Sequence, residues 1–598
     1  MIFGRTLRAA AVIATAASLT LVSASAGTAS SAGLTSPAGP GTPGGGPPTV
    51  TADDIRFAHP PKALRYGSAE SVGLLPRYID QIYDDIAAGL RPQPAPPMQP
   101  LYPGAVALAG HDGTIVAQDA AGYALLYANR GGDKLPPDQR IAMRPDTIFD
   151  VASMTKIFTS TAAVQLIQAG RIGLNDPVVK YIPEFASHGK SDITIRELLT
   201  HTSGLPADPD PSLCTYPTHD EQWAAVYDVT PIAPPNTTYL YADMNMMVMG
   251  KVIEVVTGQT LDRVIAQRIT RPLGMTETMF NPPASLRPRI AATEFEPGRG
   301  LVWGTVHDEN AFCLGGVAGH AGVFSTAHDL AILAQALLNG GVYGGARILS
   351  EDSTRLLFTN YNQAFPTHEH SLVFELNQRR YMDAMSSPVT AGQTGFTGTS
   401  IVIDPLAHSF MILLTNRVHP DRDRGSINPV RAAVARDLAL AQPVPPSQGP
   451  THWYSGTATA TTATLTIPVS LPATGARLSF DLWYDTDVTD IGALEASSDG
   501  GATWHLVPLS LSVNGDQWQT DGTFSGFEGR QWLRASAGLP RGATNVRWRY
   551  TTTDAFYRGR GIYVDGVRVV GNREVLFDDR RPGDAALFQP VGWIRNRT

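Results

Sequence analysis

Cysteine is almost missing from this sequence. Cys214 and Cys313 are the only thiols in 598 residues, which excludes a four-thiolate zinc cluster and a disulfide-dense scaffold. Charge is scarce as well. Charged residues make up 17% of the chain, against roughly 25% in an average globular protein. The net charge is -8 with no block of Lys or Arg, so nucleic acid and an anionic membrane are not expected partners. No G-x-S-x-G occurs, which argues against a serine carried on a strand-to-helix elbow. No internal repeat is present, and no apolar run reaches the ~20 residues of a spanning helix.

What is present divides the chain. Arg5 and Arg8 precede an apolar run over 9–22, and Ala24-Ser25-Ala26 offers small residues for cleavage. This reads as a signal peptide over 1–26, and hence as a secreted protein with no membrane span after cleavage. No Cys follows the run, so a lipid anchor there is not expected. Residues 27–60 are rich in Gly, Pro and Ser and read as a disordered linker. Residues 66–441 alternate helical and strand patterns, 442–452 form a Pro-rich linker, 453–573 carry a β grammar, and 574–598 are left as a C-terminal tail. In an oxidising compartment an even pair of thiols favours a Cys214–Cys313 disulfide over two separate buried thiols.

Within 66–441, Asp112-Gly113 sits between two apolar stretches and predicts a hairpin turn. Apolar spacing predicts helices over 155–169, 244–256 and 327–338, each with a Gly just beyond its last turn. Residues 399–403 and 409–414 read as adjacent buried strands. The class is α/β or α+β.

Ser153-Met154-Thr155-Lys156 is an S-x-x-K at the start of a predicted helix. That spacing puts Lys156 one turn from Ser153 on the same face, where an amine can take a hydroxyl proton or balance its charge. The same four residues alone also fit an N-cap serine beside a solvated lysine. The flanking motifs decide between them. Phe149-Asp150-Val151-Ala152-Ser153, then Leu198-Leu199-Thr200-His201-Thr202-Ser203-Gly204-Leu205, then Tyr241-Ala242-Asp243, then Gly319-His320-Ala321-Gly322 follow in order. Over 66–420 the chain resembles class C β-lactamase-like esterases and low-molecular-weight penicillin-binding proteins. The resemblance implies an antiparallel sheet flanked by helices, a helical subdomain, and a nucleophile in the cleft between them. It makes Ser153 the nucleophile, Lys156 its activating partner, and Tyr241 the second member of the acid/base pair. A phenol needs a nearby cation to lower its pKa for that role, and Lys156 is the expected source.

Two positions leave the family pattern. Asp243 stands where an Asn is common. Gln393-Thr394-Gly395 stands where Lys-Thr-Gly or His-Thr-Gly is expected, so the motif has lost its cation. That loss points to a neutral ester or amide in preference to a carboxylate-bearing β-lactam. The resemblance implies that Asp243, Gln393, Thr394, Gly395 and Phe396 bind substrate, with the backbone N–H groups of Ser153 and Phe396 as the oxyanion hole. His201 and His320 are read as packing or loop-hydrogen-bonding residues, and His368-Glu369-His370 as a solvated loop. Neither a metal nor a cofactor is expected.

In 453–573, Ser497-Ser498-Asp499-Gly500-Gly501-Ala502-Thr503-Trp504 fits an Asp-box hairpin. Together with Phe480-Asp481-Leu482-Trp483 and Tyr563-Val564-Asp565-Gly566, it resembles the jelly-roll modules of immune inhibitor A-type secreted proteases, implying an all-β sandwich. Asp481 and Asp565 fit capping or solvated acids and also calcium ligands, and that choice stays open. The expected function is a secreted serine hydrolase working through an acyl-Ser153 intermediate. Its substrate is an ester, a D-amino-acid peptide or a β-lactam-like molecule, small or peptidoglycan-derived. The alternative is a catalytically impaired surface protein whose sandwich binds the cell wall or a glycan.

Overall fold

The computed structural model describes residue 47 and residues 49–94, 98–555 and 557–597. The expected signal peptide and the Gly-rich start of the linker lie outside the described residues. The remainder of that linker departs from the expectation of disorder. Ala52–Asp54 form a 3-10 turn with a Thr51 capping box, Ile55 and Phe57 are buried, and Arg355 donates to the Ala52 and Ile55 carbonyls. Two apolar side chains supply the burial that composition alone did not reveal.

The catalytic region is built on a sheet whose strands are β1 (Arg65–Tyr66), β2 (Gly104–His111), β3 (Thr114–Leu125), β4 (Glu375–Leu376), β5 (Ala391–Gly395), β6 (Thr399–Asp404) and β7 (Ser409–Thr415). Their order is β1-β3-β2-β7-β6-β5-β4, with Ile141–Ala142 added to β3. All pairs are antiparallel except β1 with β3. The expected β2–β3 turn is present: Asp112 and Gly113 both take positive φ, 50° and 79°, as a two-residue hairpin requires.

Helices cover both faces of the sheet, so β6 and β7 are buried throughout. The two-residue period of a strand separates the layers. Val106, Leu108, Ile401, Ile403 and Ile412 pack with α2 (Thr155–Gln168), α3 (Asp243–Thr257) and α4 (Ala327–Leu338). Ala105, Ala107, Ala109, Val402 and Leu413 face α1 (Pro76–Ala88) and α5 (Asn428–Ala441). Cys214 and Cys313 are joined, with Cα atoms 5.3 Å apart, tying the turn Leu213–Thr215 to the helix Glu309–Cys313.

The C-terminal region contains two antiparallel sheets around a shared apolar core that includes Leu465, Phe480, Trp548 and Val564. Residues 574–598 are not a tail outside it. Gln589–Val591 pairs with Thr462–Pro468, Ile594–Asn596 with His452–Tyr454, and Glu574–Asp578 with Gly559–Gly571. Asp499 of the Asp-box accepts from Ser497 and Thr503, and the Trp504 indole donates to the Gly501 carbonyl.

Gly45–Thr598 form one compact unit. In the Pro-rich linker Val444 is buried. Ser447 donates to Asp481 and Asp565, as do the backbone and side-chain amides of Gln448 to Asp565 and Asp481 respectively. Arg530 of the β region, its side chain 9% exposed and with φ 53°, pairs with Asp404 of β6 and lies 3.2 Å from Asp485. It also donates to the Ala384, Met385 and Ser386 carbonyls. No helix among the described residues is long and apolar enough to cross a membrane.

Candidate active site

Ser153 sits in the 3-10 turn Ala152–Met154 that leads into α2. It is not an N-cap: the hydroxyl makes no capping bond, and Lys156 is 2% exposed. The turn is strained, because Ala152 takes φ 49°, a left-handed conformation that persists only where neighbours over-determine it. Asp150 does so. One of its oxygens accepts from the Ala152 N–H at 2.9 Å and the other from the His307 N–H at 2.7 Å. Thr397 and Thr399 donate to the Asp150 and Val151 carbonyls, which stitches the Ser153 turn to the end of β5. Gly395 is required at that seam: a Cβ there would lie 2.1 Å from Thr399 Oγ1 and 2.4 Å from the Val151 carbonyl oxygen.

Lys156 Nζ donates to Ser153 Oγ at 2.9 Å and to the His320 carbonyl at 3.3 Å, and lies 2.6 Å from Asp243 Oδ1. Burial disfavours the ammonium, but the Asp243 carboxylate outweighs it, and Lys156 is held above the ordinary lysine range. Tyr241 sits beside it, with Lys156 Nζ 4.9 Å from the ring centroid. Its hydroxyl accepts from Gln393 Nε2 at 3.1 Å, and Lys156 and Ser153 are among the groups that act on it. The expected lowering of its pKa is overturned. Burial is the larger effect and keeps the phenol above its ordinary value, with Lys156 opposing and Asp243 assisting.

The family-motif histidines have structural roles. His201 stacks on Tyr241 at 4.6 Å, and its Nδ1 accepts from the Ala242 N–H and faces Asn245 Nδ2. Burial holds it neutral, far below the usual histidine range. His320 pairs with Asp308 at 2.9 Å, which raises its pKa although burial works against the charge. The segment 368–370 is only partly a solvated loop: His368 is exposed and stacks on Tyr239, whereas His370 is 2% exposed and meets His201 edge-on. Two groups of acids and histidine come close enough to resemble cation sites, Asp243/Asp308/His320 and Glu294/Glu296/His307. Lys156 already neutralises the first, and Arg422 and Arg299 the second.

A cavity of about 670 Å³ opens over Ser153, between Tyr239 and Tyr241 on one side and Gln393, Gly395 and Phe396 on the other. The backbone N–H groups of Ser153 and Phe396 find no protein acceptor among the described residues. Arg380, Arg417 and Arg431 also line it, against Glu369 and Glu375. The motif has lost its cation, yet the pocket has not, and the inference from Gln393 to a neutral substrate loses its basis. Arg431 donates to the Gly395 and Thr399 carbonyls, and burial pushes its pKa down to about 9. These arginines escaped the sequence reading because no short motif carries them. Asp150 stood inside a quoted motif, but its brace is visible only in three dimensions.

The beta-lactamase family profile matches residues 87–436. A protein of Escherichia coli (strain K12), provisionally named D-alanyl-D-alanine carboxypeptidase, is 36% identical over 53% of this chain and 79% of its own length. Its counterpart in Salmonella agona (strain SL483) is 34% identical over 55% and 82%. Among solved structures, EstCE1, a hydrolase with promiscuous acyltransferase activity, is 20% identical with a TM-score of 0.47, covering 61% of this chain and 99% of that one. A family VIII carboxylesterase is 23% identical with a TM-score of 0.46 and the same coverage. The chain belongs to the beta-lactamase family and is a serine hydrolase.

Proposed function

We propose that the protein is a secreted acyl hydrolase that forms an acyl-Ser153 intermediate on peptides or esters bearing a carboxylate on the leaving side, D-amino-acid peptides foremost. The observation that carries the chemistry is the set of groups around the Ser153 hydroxyl. An ammonium donates to Oγ, so the Ser153 proton points to another neighbour. Tyr241 is the neighbour we assign: its hydroxyl accepts from Gln393, and the Lys156 ammonium lies 4.9 Å from its ring centroid. Burial favours the neutral phenol and Lys156 opposes it, so the ionised fraction of Tyr241 is what accepts the proton as Oγ attacks the carbonyl carbon. The two unengaged N–H groups receive the developing oxyanion. Tyr241 then returns the proton to the leaving amine or alcohol, and water repeats the sequence to release the acid.

The substrate class is supported by the three guanidinium groups lining the cavity against two carboxylates, which leave one positive charge in excess, and by the names of the carboxypeptidase relatives. The test compares release of D-alanine from an N-acylated D-alanyl-D-alanine peptide with hydrolysis of a p-nitrophenyl ester, for the mature protein and for Ser153→Ala. The reading expects both activities to vanish in the variant and the peptide to be turned over with the higher kcat/KM. Peptide release retained in Ser153→Ala would refute the acyl-serine route. Ester turnover without peptide release would refute the substrate class.

A further inference from the structure

The role of Asp243 follows from counting hydrogens. A lysine ammonium carries three, and three acceptors surround Lys156 Nζ: Ser153 Oγ, the His320 carbonyl and Asp243 Oδ1. As a neutral amine, Lys156 would aim its lone pair at one of these oxygens inside a pocket where it is 2% exposed. An asparagine at 243 could offer an oxygen of the same reach but no charge.

The charged and titratable groups facing the pair come from every element packed there. They are Tyr241 and Asp243 at the start of α3, and His201 and Asp208 from the loop after 200. Asp308 lies at the cap of the helix Glu309–Cys313, and His320 precedes Val323–Ser325. His320 is matched by Asp308 and His201 is neutral. Asp243 is therefore the anion in direct contact with Lys156.

We propose that Asp243 is the electrostatic positioning residue of this site: its carboxylate pins Lys156 as a donor-only ammonium, leaves Tyr241 as the acceptor for the Ser153 proton, and sets the pH at which Ser153 becomes nucleophilic. This rests on the reading of Ser153 as the residue that is acylated. The direction of the effect is fixed by sign. The Asp243 charge favours the protonated form of both neighbours, so removing it lets both Lys156 and Tyr241 lose their protons at lower pH.

The experiment is the pH dependence of the rate at which a fluorophosphonate labels the full-length mature protein, a readout that needs no natural substrate. Asp243→Asn, which keeps shape and hydrogen-bonding reach, moves both limbs of the profile toward acid. The alkaline limb set by Lys156 moves by about one to three pH units, as for loss of a direct ionic partner, and the acid limb set by Tyr241 moves by a smaller amount. Asp243→Glu, which retains the charge, keeps the limbs close to those of the parent protein and controls for damage to the fold. Limbs that stay in place in Asp243→Asn, however far the rate falls, would overturn the proposal and leave the acyl-serine reading intact. Labelling that persists in Ser153→Ala would instead remove the reading on which the proposal stands.

Discussion

Replacing Gly395 with alanine tests whether the seam between β5 and the nucleophile turn is what places Ser153. The added methyl would meet Thr399 Oγ1 at 2.1 Å and the Val151 carbonyl oxygen at 2.4 Å. The hydroxyl can rotate away, at the loss of its 3.0 Å hydrogen bond to that carbonyl, about 1 kcal/mol. The carbonyl cannot rotate, because it belongs to the strained backbone two residues before Ser153. Restoring ordinary contact takes a displacement of roughly 1 Å, and such a misplacement of a reacting group costs about a hundred-fold in rate. Overpacking adds about 1–3 kcal/mol of destabilisation. The assay is kcat/KM on a p-nitrophenyl ester together with urea unfolding, with Thr399→Ala as the control that removes the hydrogen bond without the clash. The expected result is a fall of about a hundred-fold in Gly395→Ala and at most about ten-fold in Thr399→Ala. Wild-type turnover in Gly395→Ala would show that the seam does not position the nucleophile.

Gln393→Lys brings an ammonium to the Tyr241 hydroxyl. It is expected to improve kcat/KM for carboxylate-bearing substrates over neutral esters by about ten-fold to a hundred-fold, the worth of one charge-assisted hydrogen bond; an equal change for both classes would show that position 393 does not read the carboxylate. The Cys214–Cys313 bridge spans 99 residues, so its loss in Cys214→Ser/Cys313→Ser should cost about 2–5 kcal/mol, read as a lower guanidinium midpoint, and an unchanged midpoint would refute it. The His320–Asp308 pair contributes stability over a pH window. The raised pKa of His320 makes its share full below the ordinary histidine value and lost as pH rises through the folded value. The lowered pKa of Asp308 makes its share present above the ordinary carboxylate range and lost as pH falls through the folded value. The stability gap between the parent and Asp308→Asn, which keeps the helix cap, should therefore narrow as pH rises above the ordinary histidine value of about 6.5 and through the raised folded value of His320; a constant gap would refute the pairing.

Much of the catalytic fold is legible locally. The helix over 327–338 begins and ends as its apolar spacing predicts, and 155–169 and 244–256 differ only at their ends, because each has an apolar stripe and a glycine stop. That Ser153, Lys156 and Tyr241 come together was readable because four motifs fall in order. The charge state of the site was not. That Lys156 is tied to Asp243 depends on which way two side chains turn in a buried space, and the burial that raises the Tyr241 pKa comes from residues far away in the chain. Gln393 misled for the same reason: a motif names the charge lost at one position, whereas Arg380, Arg417 and Arg431 reach the pocket from other elements. Ile55 and Phe57, and the strands after 574, show the limit of composition, since short runs among polar residues order only when a distant surface receives them.

Arg530 makes the Pro-rich linker a poor place to cut. A catalytic fragment ending there would keep Asp404, 0% exposed, with its cation gone and three carbonyls at 384–386 without their donor. Removing one partner of a buried pair typically destabilises by about 3–5 kcal/mol, a large part of what holds a domain together. The affected carbonyls lie a few residues before β5, which carries Gln393 and Gly395. Trimming the protein to its hydrolase half would thus loosen the strand that lines the pocket beside Ser153. The β region is less a passenger than the missing wall of the enzyme, and an engineer who wants the smaller protein must first give Asp404 a neutral replacement.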